Sequence, residues 1–175
     1  MSQGKQKKFL QLYQPVHDRF ERFCRARAYA DMPYEDLMNE ALLIAYQKIG
    51  GLKKKDSFLS FLIGISLRIL ANHRRKKKAQ PASDELVFEN YAQPDNALEQ
   101  QFELELLYQG LSQLPDVQRE ALILFEITGF SIKEIAEMQE SSPDAVKQRL
   151  VRGRKALAKI IKSEMKLKKE GPYEG

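Results

Sequence analysis

Lys147, Gln148, Val151 and Arg152 crowd two turns of one stretch, and side chains of these types read DNA. Glutamine pairs bidentately with adenine, lysine or arginine pairs with guanine, and valine suits the methyl group of thymine. Arg149, Arg154 and Lys155 stand beside them. They suit phosphates, which set register but carry no sequence information. Such chemistry needs a helix that enters a major groove with its first turns toward the base edges.

The local sequence supplies that helix. Thr128 to Lys159 reads TGFSIKEIAEMQESSPDAVKQRLVRGRKALAK. Ser131 can cap a helix, and Glu134, three residues on, closes a capping box. Ile132, Ile135 and Ala136 recur at helical spacing, and the pattern runs out near Met138. Gln139 to Ser141 make a short connection. Ser142-Pro143 then gives a cap and a proline at the first helical position. The second helix packs through Val146, Leu150, Gly153 and Leu157, leaving its cations outside. Two short helices, a tight turn and a basic second helix describe a DNA-binding helix-turn-helix. The competing reading is an exposed basic helix in a bundle.

A chain of 175 residues allows one or two small domains. The net charge of +5 and pI of about 9.2 are compatible with a polyanionic partner. The one cysteine, Cys24, excludes a disulfide framework or a cysteine-rich zinc site and is expected to serve as a small buried hydrophobe. His17 and His73 are far apart, and no nucleophile, metal or phosphate-loop motif is found, so no catalytic site, cofactor or metal is expected. The N-terminus lacks an apolar signal core and no apolar run reaches membrane length. A cytoplasmic protein without membrane insertion is expected. Strand-like alternation is hard to find, which makes the fold class all-α.

Charge is unevenly distributed. Residues 72–78 read NHRRKKK, no lysine or arginine follows from Ala79 to Gln118, and cations crowd the C-terminal third. The gap holds Asp84, Glu85, Glu89, Asp95, Glu99, Glu103, Glu105 and Asp116. Two basic blocks around an acidic one suggest two DNA-contacting modules on a connector.

In chain order, Lys8 to Ala30 fits a helix pair or one long amphipathic helix. Leu12, Val16, Phe20 and Phe23 face its core, and Arg19, Arg22, Arg25 and Arg27 form a solvated face. Asp31-Met32-Pro33 interrupts it. Tyr34 to Ile49 buries Leu37, Met38, Ala41, Ile44 and Ala45, while Asp36, Asn39 and Glu40 project with Leu43 beside them. Acids near a helix start are favourable through the dipole alone, so only a partner surface would make this face functional.

Gly50 to Asp56 is a basic loop carrying Lys53, Lys54 and Lys55. Ser57 to His73 is an apolar helix with Phe58, Phe61, Leu62, Ile65 and Ile69 on one face. Ser57, Ser60, Gly64, Arg68, Asn72 and Arg75 trace a polar strip. Gly64 either admits a nucleic-acid strand or eases helix packing. Positively charged grooves of this kind suit single strands. Residues 79–96 carry two prolines and no helical period, and form a connector. Helices over 97–111 and 115–127 follow, the second burying Val117, Ala121, Leu122, Leu124 and Phe125. After Ile161 a frayed tail is expected.

These residues together resemble one family, the extracytoplasmic-function (group IV, sigma-70 family) sigma factors of bacterial RNA polymerase. Asp36-Leu37-Met38-Asn39-Glu40-Ala41 is similar to the family's D-L-V-Q-E-x-F helix. Phe58 to Arg75 resembles its F-x-x-W-L-x-x-I-A-x-N helix, with Phe61 in place of tryptophan, Gly64 in place of a frequent arginine and Arg68 at the usual asparagine. Pro115 to Leu157 resembles its L-P-x-x-x-R-E … G-x-S-x-x-E-I-A … V-K-x-R-L-x-R-x-R pattern, with Asp144 where glycine is common.

The resemblance implies a sigma-2-like domain over 1–78, a linker over 79–96, a sigma-4-like helix-turn-helix domain over 97–165 and a flexible tail over 166–175. It implies that Asp36, Asn39, Glu40 and Leu43 bind core polymerase through the clamp helices of its largest subunit, with the flap as a second contact. Lys53, Lys54, Lys55, Arg68, Asn72 and Arg75 would handle the −10 strand. Lys147, Gln148, Arg149, Val151, Arg152, Arg154 and Lys155 would hold the −35 duplex. An anti-sigma factor would be a further partner. The rival reading is a stand-alone helix-turn-helix regulator of duplex operators, which leaves Tyr34 to Arg75 without a role.

Overall fold

The computed structural model describes residues 2–54, 57–79 and 98–169, and among them every regular element is helical. The chain divides into two compact units, residues 1–88 and 89–175.

The first unit opens with α1 (Ser2–Tyr13) and α2 (His17–Ala28), so the first basic stretch is a helix pair. Pro15 causes the break: it lacks an N–H, and the chain passes through a 3-10 turn at Gln14–Val16 before α2 restarts. Pro33, with φ −59° and ψ 133°, caps α3 (Tyr34–Lys48), and a 3-10 turn at Ile49–Gly51 ends it. The last helix of the unit, α4 (Phe58–Ala79), runs past the expected end at His73 and holds its last turn with Lys76, Lys77 and Lys78, which complement the helix dipole. Ala79, expected in the connector, is helical, and the rest of that stretch lies outside the described residues, as does Lys55.

The core follows the apolar spacing. Phe20, Phe23, Leu37, Ala41, Ala45, Leu62 and Ile63 are sealed from solvent, and α3 lies against α2 and α4. Phe9 joins α1 to this core through edge-to-face contacts with Tyr46 and Phe58, each with ring centroids 5.5 Å apart. Ser66 is buried but satisfied, donating to the Leu62 carbonyl at 2.8 Å. Cys24 is a buried free thiol, and burial pushes its pKa up, which leaves it a small hydrophobe.

The expected solvated arginine face is not uniform. Arg22 is exposed, but Arg27 is buried, its Nη1 donating to Asp31 Oδ2 at 2.8 Å. Arg74 of α4 donates to the same oxygen at 3.3 Å, so one carboxylate joins α2 to α4. His17, Asp18 and Glu21 bring ligand-type atoms within 4.8 Å of one another. Tyr13 already bonds His17 Nδ1 at 2.6 Å and Arg25 pairs with Glu21 at 3.1 Å, so this is a local polar network.

The second unit contains α5 (Leu98–Ser112), α6 (Asp116–Leu122), α7 (Ile132–Met138) and α8 (Pro143–Lys169). Between α6 and α7 the chain widens into a π turn at Ile123–Ile127, closed where Thr128 donates to the Ile123 carbonyl from its N–H at 2.9 Å and its hydroxyl at 3.0 Å. Val117, expected in the core, is 46% exposed; Ala121, Leu122, Ile123 and Leu124 carry the burial. The tail expected to fray after Ile161 continues as helix to Lys169.

Candidate nucleic-acid interface

The helix-turn-helix is assembled from short-range bonds. Ser131 Oγ accepts from the Glu134 N–H at 3.1 Å and Glu134 Oε2 accepts from the Ser131 N–H at 3.4 Å, completing the capping box of α7. At its other end the Ser141 N–H reaches the Ala136 carbonyl at 2.9 Å and the Glu140 N–H reaches Glu137 at 3.3 Å. That is a Schellman ending, and it forces Glu140 to φ 51°. Ser142 Oγ then accepts from the Ala145 N–H at 3.1 Å and starts α8.

A left-handed non-glycine residue is costly, and a β-branched one more so. We expect Glu140→Gly to stabilise the unit and Glu140→Val to destabilise it by about 1–2 kcal/mol. Urea midpoints of the two variants check this, and the expectation fails if valine is as stable as glycine.

α8 crosses α6 at close range. A Cβ on Gly153 would lie 2.9 Å from Leu122 Cδ1 and 3.6 Å from Gln118 Cβ, so glycine sets how closely the two helices approach. Val146 and Leu150 are buried on the same side, and Leu157 packs against Gly110 of α5. The opposite side is outside. Lys147, Gln148, Val151 and Arg152 are all exposed and line one shallow depression. Lys155 is exposed as well.

Two of the cations expected at phosphates are already engaged. Arg149 is half-buried, its Nη1 donating to Gln139 Oε1 at 2.8 Å and Ser141 Oγ at 2.9 Å. It clasps the turn to the recognition helix, and Gln139 Nε2 extends the clasp to the Val117 carbonyl at 3.1 Å. Arg154 donates to Glu126 Oε1 from Nη2 at 2.6 Å and from Nε at 3.0 Å, and its guanidinium lies 5.5 Å from the Phe125 ring centroid. These partners are distant in sequence, so no local spacing announces them. The polar Gln139 and Ser141 in the turn are the only sequence hint of acceptors for Arg149.

In the first unit, Arg68, Asn72 and Arg75 are exposed along α4, and Lys53 and Lys54 are exposed in the loop before it. Among the described residues a Cβ on Gly64 would meet nothing within 4 Å, so no described helix packs over it and the strip has an open notch there. On α3, Asp36, Asn39 and Glu40 are exposed and Leu43 is 60% exposed, an apolar side chain among acids.

Comparison with known proteins matches both units. The profile for Sigma-70 region 2 matches residues 12–80, and that for Sigma-70, region 4 matches residues 104–157. The chain is 27% identical over 139 residues to the RNA polymerase sigma-H factor of Pseudomonas aeruginosa, covering 73% of this chain and 72% of that protein. It is 27% identical over 157 residues to the ECF RNA polymerase sigma factor SigM of Mycobacterium tuberculosis, covering 87% and 76%. In fold it is similar to the sigma factor RpoE solved with the anti-sigma factor NepR from Bartonella quintana. That match has a TM-score of 0.73 and 24% identity over 89% of this chain and 98% of that one. Among the described residues no helix is long and apolar enough to cross a membrane.

Proposed function

The chain belongs to the sigma-70 family of RNA polymerase sigma factors, in its extracytoplasmic-function branch, and from that premise we infer how its parts divide the work of directing transcription initiation. The domain carrying the −35 contacts spans 97–165, with Lys147, Gln148, Val151 and Arg152 at base edges and Lys155 on phosphate. Arg149 and Arg154 hold the reading head in shape. The domain over 1–78 meets the −10 element as a single strand along Lys53, Lys54, Arg68, Asn72 and Arg75, with Gly64 leaving room for it. The 79–96 stretch links the two.

Core polymerase docks on Asp36, Asn39, Glu40 and Leu43 through the clamp helices of its largest subunit, and the flap meets the second unit. The chain contributes no catalysis of its own, acts in the cytoplasm where the polymerase works, and is a candidate for restraint by an anti-sigma protein.

The observation that supports this reading is that one chain holds both sigma regions, with Lys147, Gln148, Val151 and Arg152 exposed on the outer side of α8. Run-off transcription with core enzyme on a genomic promoter library tests it: promoter-dependent transcripts are expected, and their complete absence overturns the reading. Gel filtration with core polymerase separates it from a stand-alone duplex regulator, which would not co-elute. Glu40→Lys is expected to weaken association with core by about 1 kcal/mol, roughly fivefold, without unfolding the chain. Unchanged affinity for core would remove Glu40 from the interface.

A further inference from the structure

The basic face of α8 continues beyond the part that matches region 4. That match ends at residue 157, whereas α8 runs on to Lys169. Arg152, Lys155, Lys159, Lys162, Lys166 and Lys169 follow at three- and four-residue steps, and all six are exposed. At roughly 100° per residue their side chains fall within about 50° either side of one line along the helix. Val146, Leu150 and Gly153 lie on the opposite side, where α8 packs on its own unit. The one acid among the added described turns, Glu164, is half-buried and off the stripe.

We propose that this stripe is a rail for the sugar-phosphate backbone of duplex DNA flanking the site read by Gln148 and Arg152. The proposal rests on the duplex-reading role of α8. A straight helix stays in a curved major groove for only a few turns and then crosses its edge. The face that met the bases remains turned toward the duplex as it leaves, and on α8 that face becomes uniformly lysine. Lysine is a compact point charge suited to phosphate and lacks the planar fork that arginine brings to a base edge. From Arg152 to Lys169 the rail is about 25 Å long at ~1.5 Å per residue, and DNA offers one charge per ~1.7 Å of axis. Favourable placement at the helix C-terminus accounts for lysines in the last turn only, because the dipole effect fades within one turn. Lys155, Lys159 and Lys162 lie before it.

The test uses the full chain, fluorescent 40-base-pair duplexes from the promoter library, and a Lys159→Gln/Lys162→Gln/Lys166→Gln variant, glutamine being a comparable helix former. Circular dichroism checks that helix content is kept. Plotting log affinity against log salt, the variant's slope should be shallower by about 2.7, with the loss equal on every sequence. Equal slopes with binding retained overturn the rail and leave the reading head intact. No duplex bound by the parent chain, either alone or on core polymerase, overturns both. An unchanged slope with lost co-elution on core polymerase assigns the stripe to a protein surface and overturns the rail.

Discussion

Asp31→Ala is expected to destabilise the first unit by about 3–5 kcal/mol. The Asp31 side chain is 17% exposed and its Oδ2 accepts from Arg27 and Arg74, while the Arg27 side chain is only 3% exposed. Removing the carboxylate leaves the Arg27 charge inside the unit without that counter-ion, which costs far more than the pair itself contributes. Against a typical total of about 5–15 kcal/mol, the loss is severe. Arg27→Met should cost much less, because it removes the buried charge and leaves Asp31 paired with Arg74. Hydrogen exchange of α2 and α4 amides measures both, and equal protection in Asp31→Ala and the parent would refute the claim. Because Arg74 belongs to α4, the same variant should lose −10 engagement before −35 binding.

Arg152→Ala is expected to lose about 1–3 kcal/mol of duplex affinity, roughly 5- to 150-fold, on cognate DNA only. Arg152 is exposed in the depression shared with Lys147, Gln148 and Val151, so truncation removes a recognition fork without opening a cavity. Competition between cognate and unrelated duplexes is the measurement. Lys155→Ala should weaken both alike and lower the salt slope by about 1. If Arg152→Ala behaves the same way, Arg152 contacts phosphate.

Local signals were legible in the sequence. The Ser131–Glu134 box and the Ser142-Pro143 start are visible because a cap is written within four residues. The exposed set on α3 follows from helical spacing and the buried Leu37, Met38, Ala41 and Ala45. What escaped depends on groups distant in the chain. Arg22 and Arg27 look alike in sequence, and only the packing of α2 against α3 and α4 makes one side of the helix internal. The bonds from Arg149 to Gln139 and Ser141 were not legible, because the turn brings together residues eight and ten positions apart. Gly64 was ambiguous because spacing does not reveal whether a neighbouring helix passes over it. The length of α8 escaped because a lysine-rich end reads as solvated whether or not it is helical.

Cys24 is the sole cysteine, and it is sealed in the first unit. A maleimide dye offered to the folded protein therefore finds no native target. Cysteines introduced at exposed sites outside the proposed interfaces, such as Lys48 and Lys133, can be labelled without background, so the separation of the two heads can be followed by energy transfer as promoter and polymerase are added.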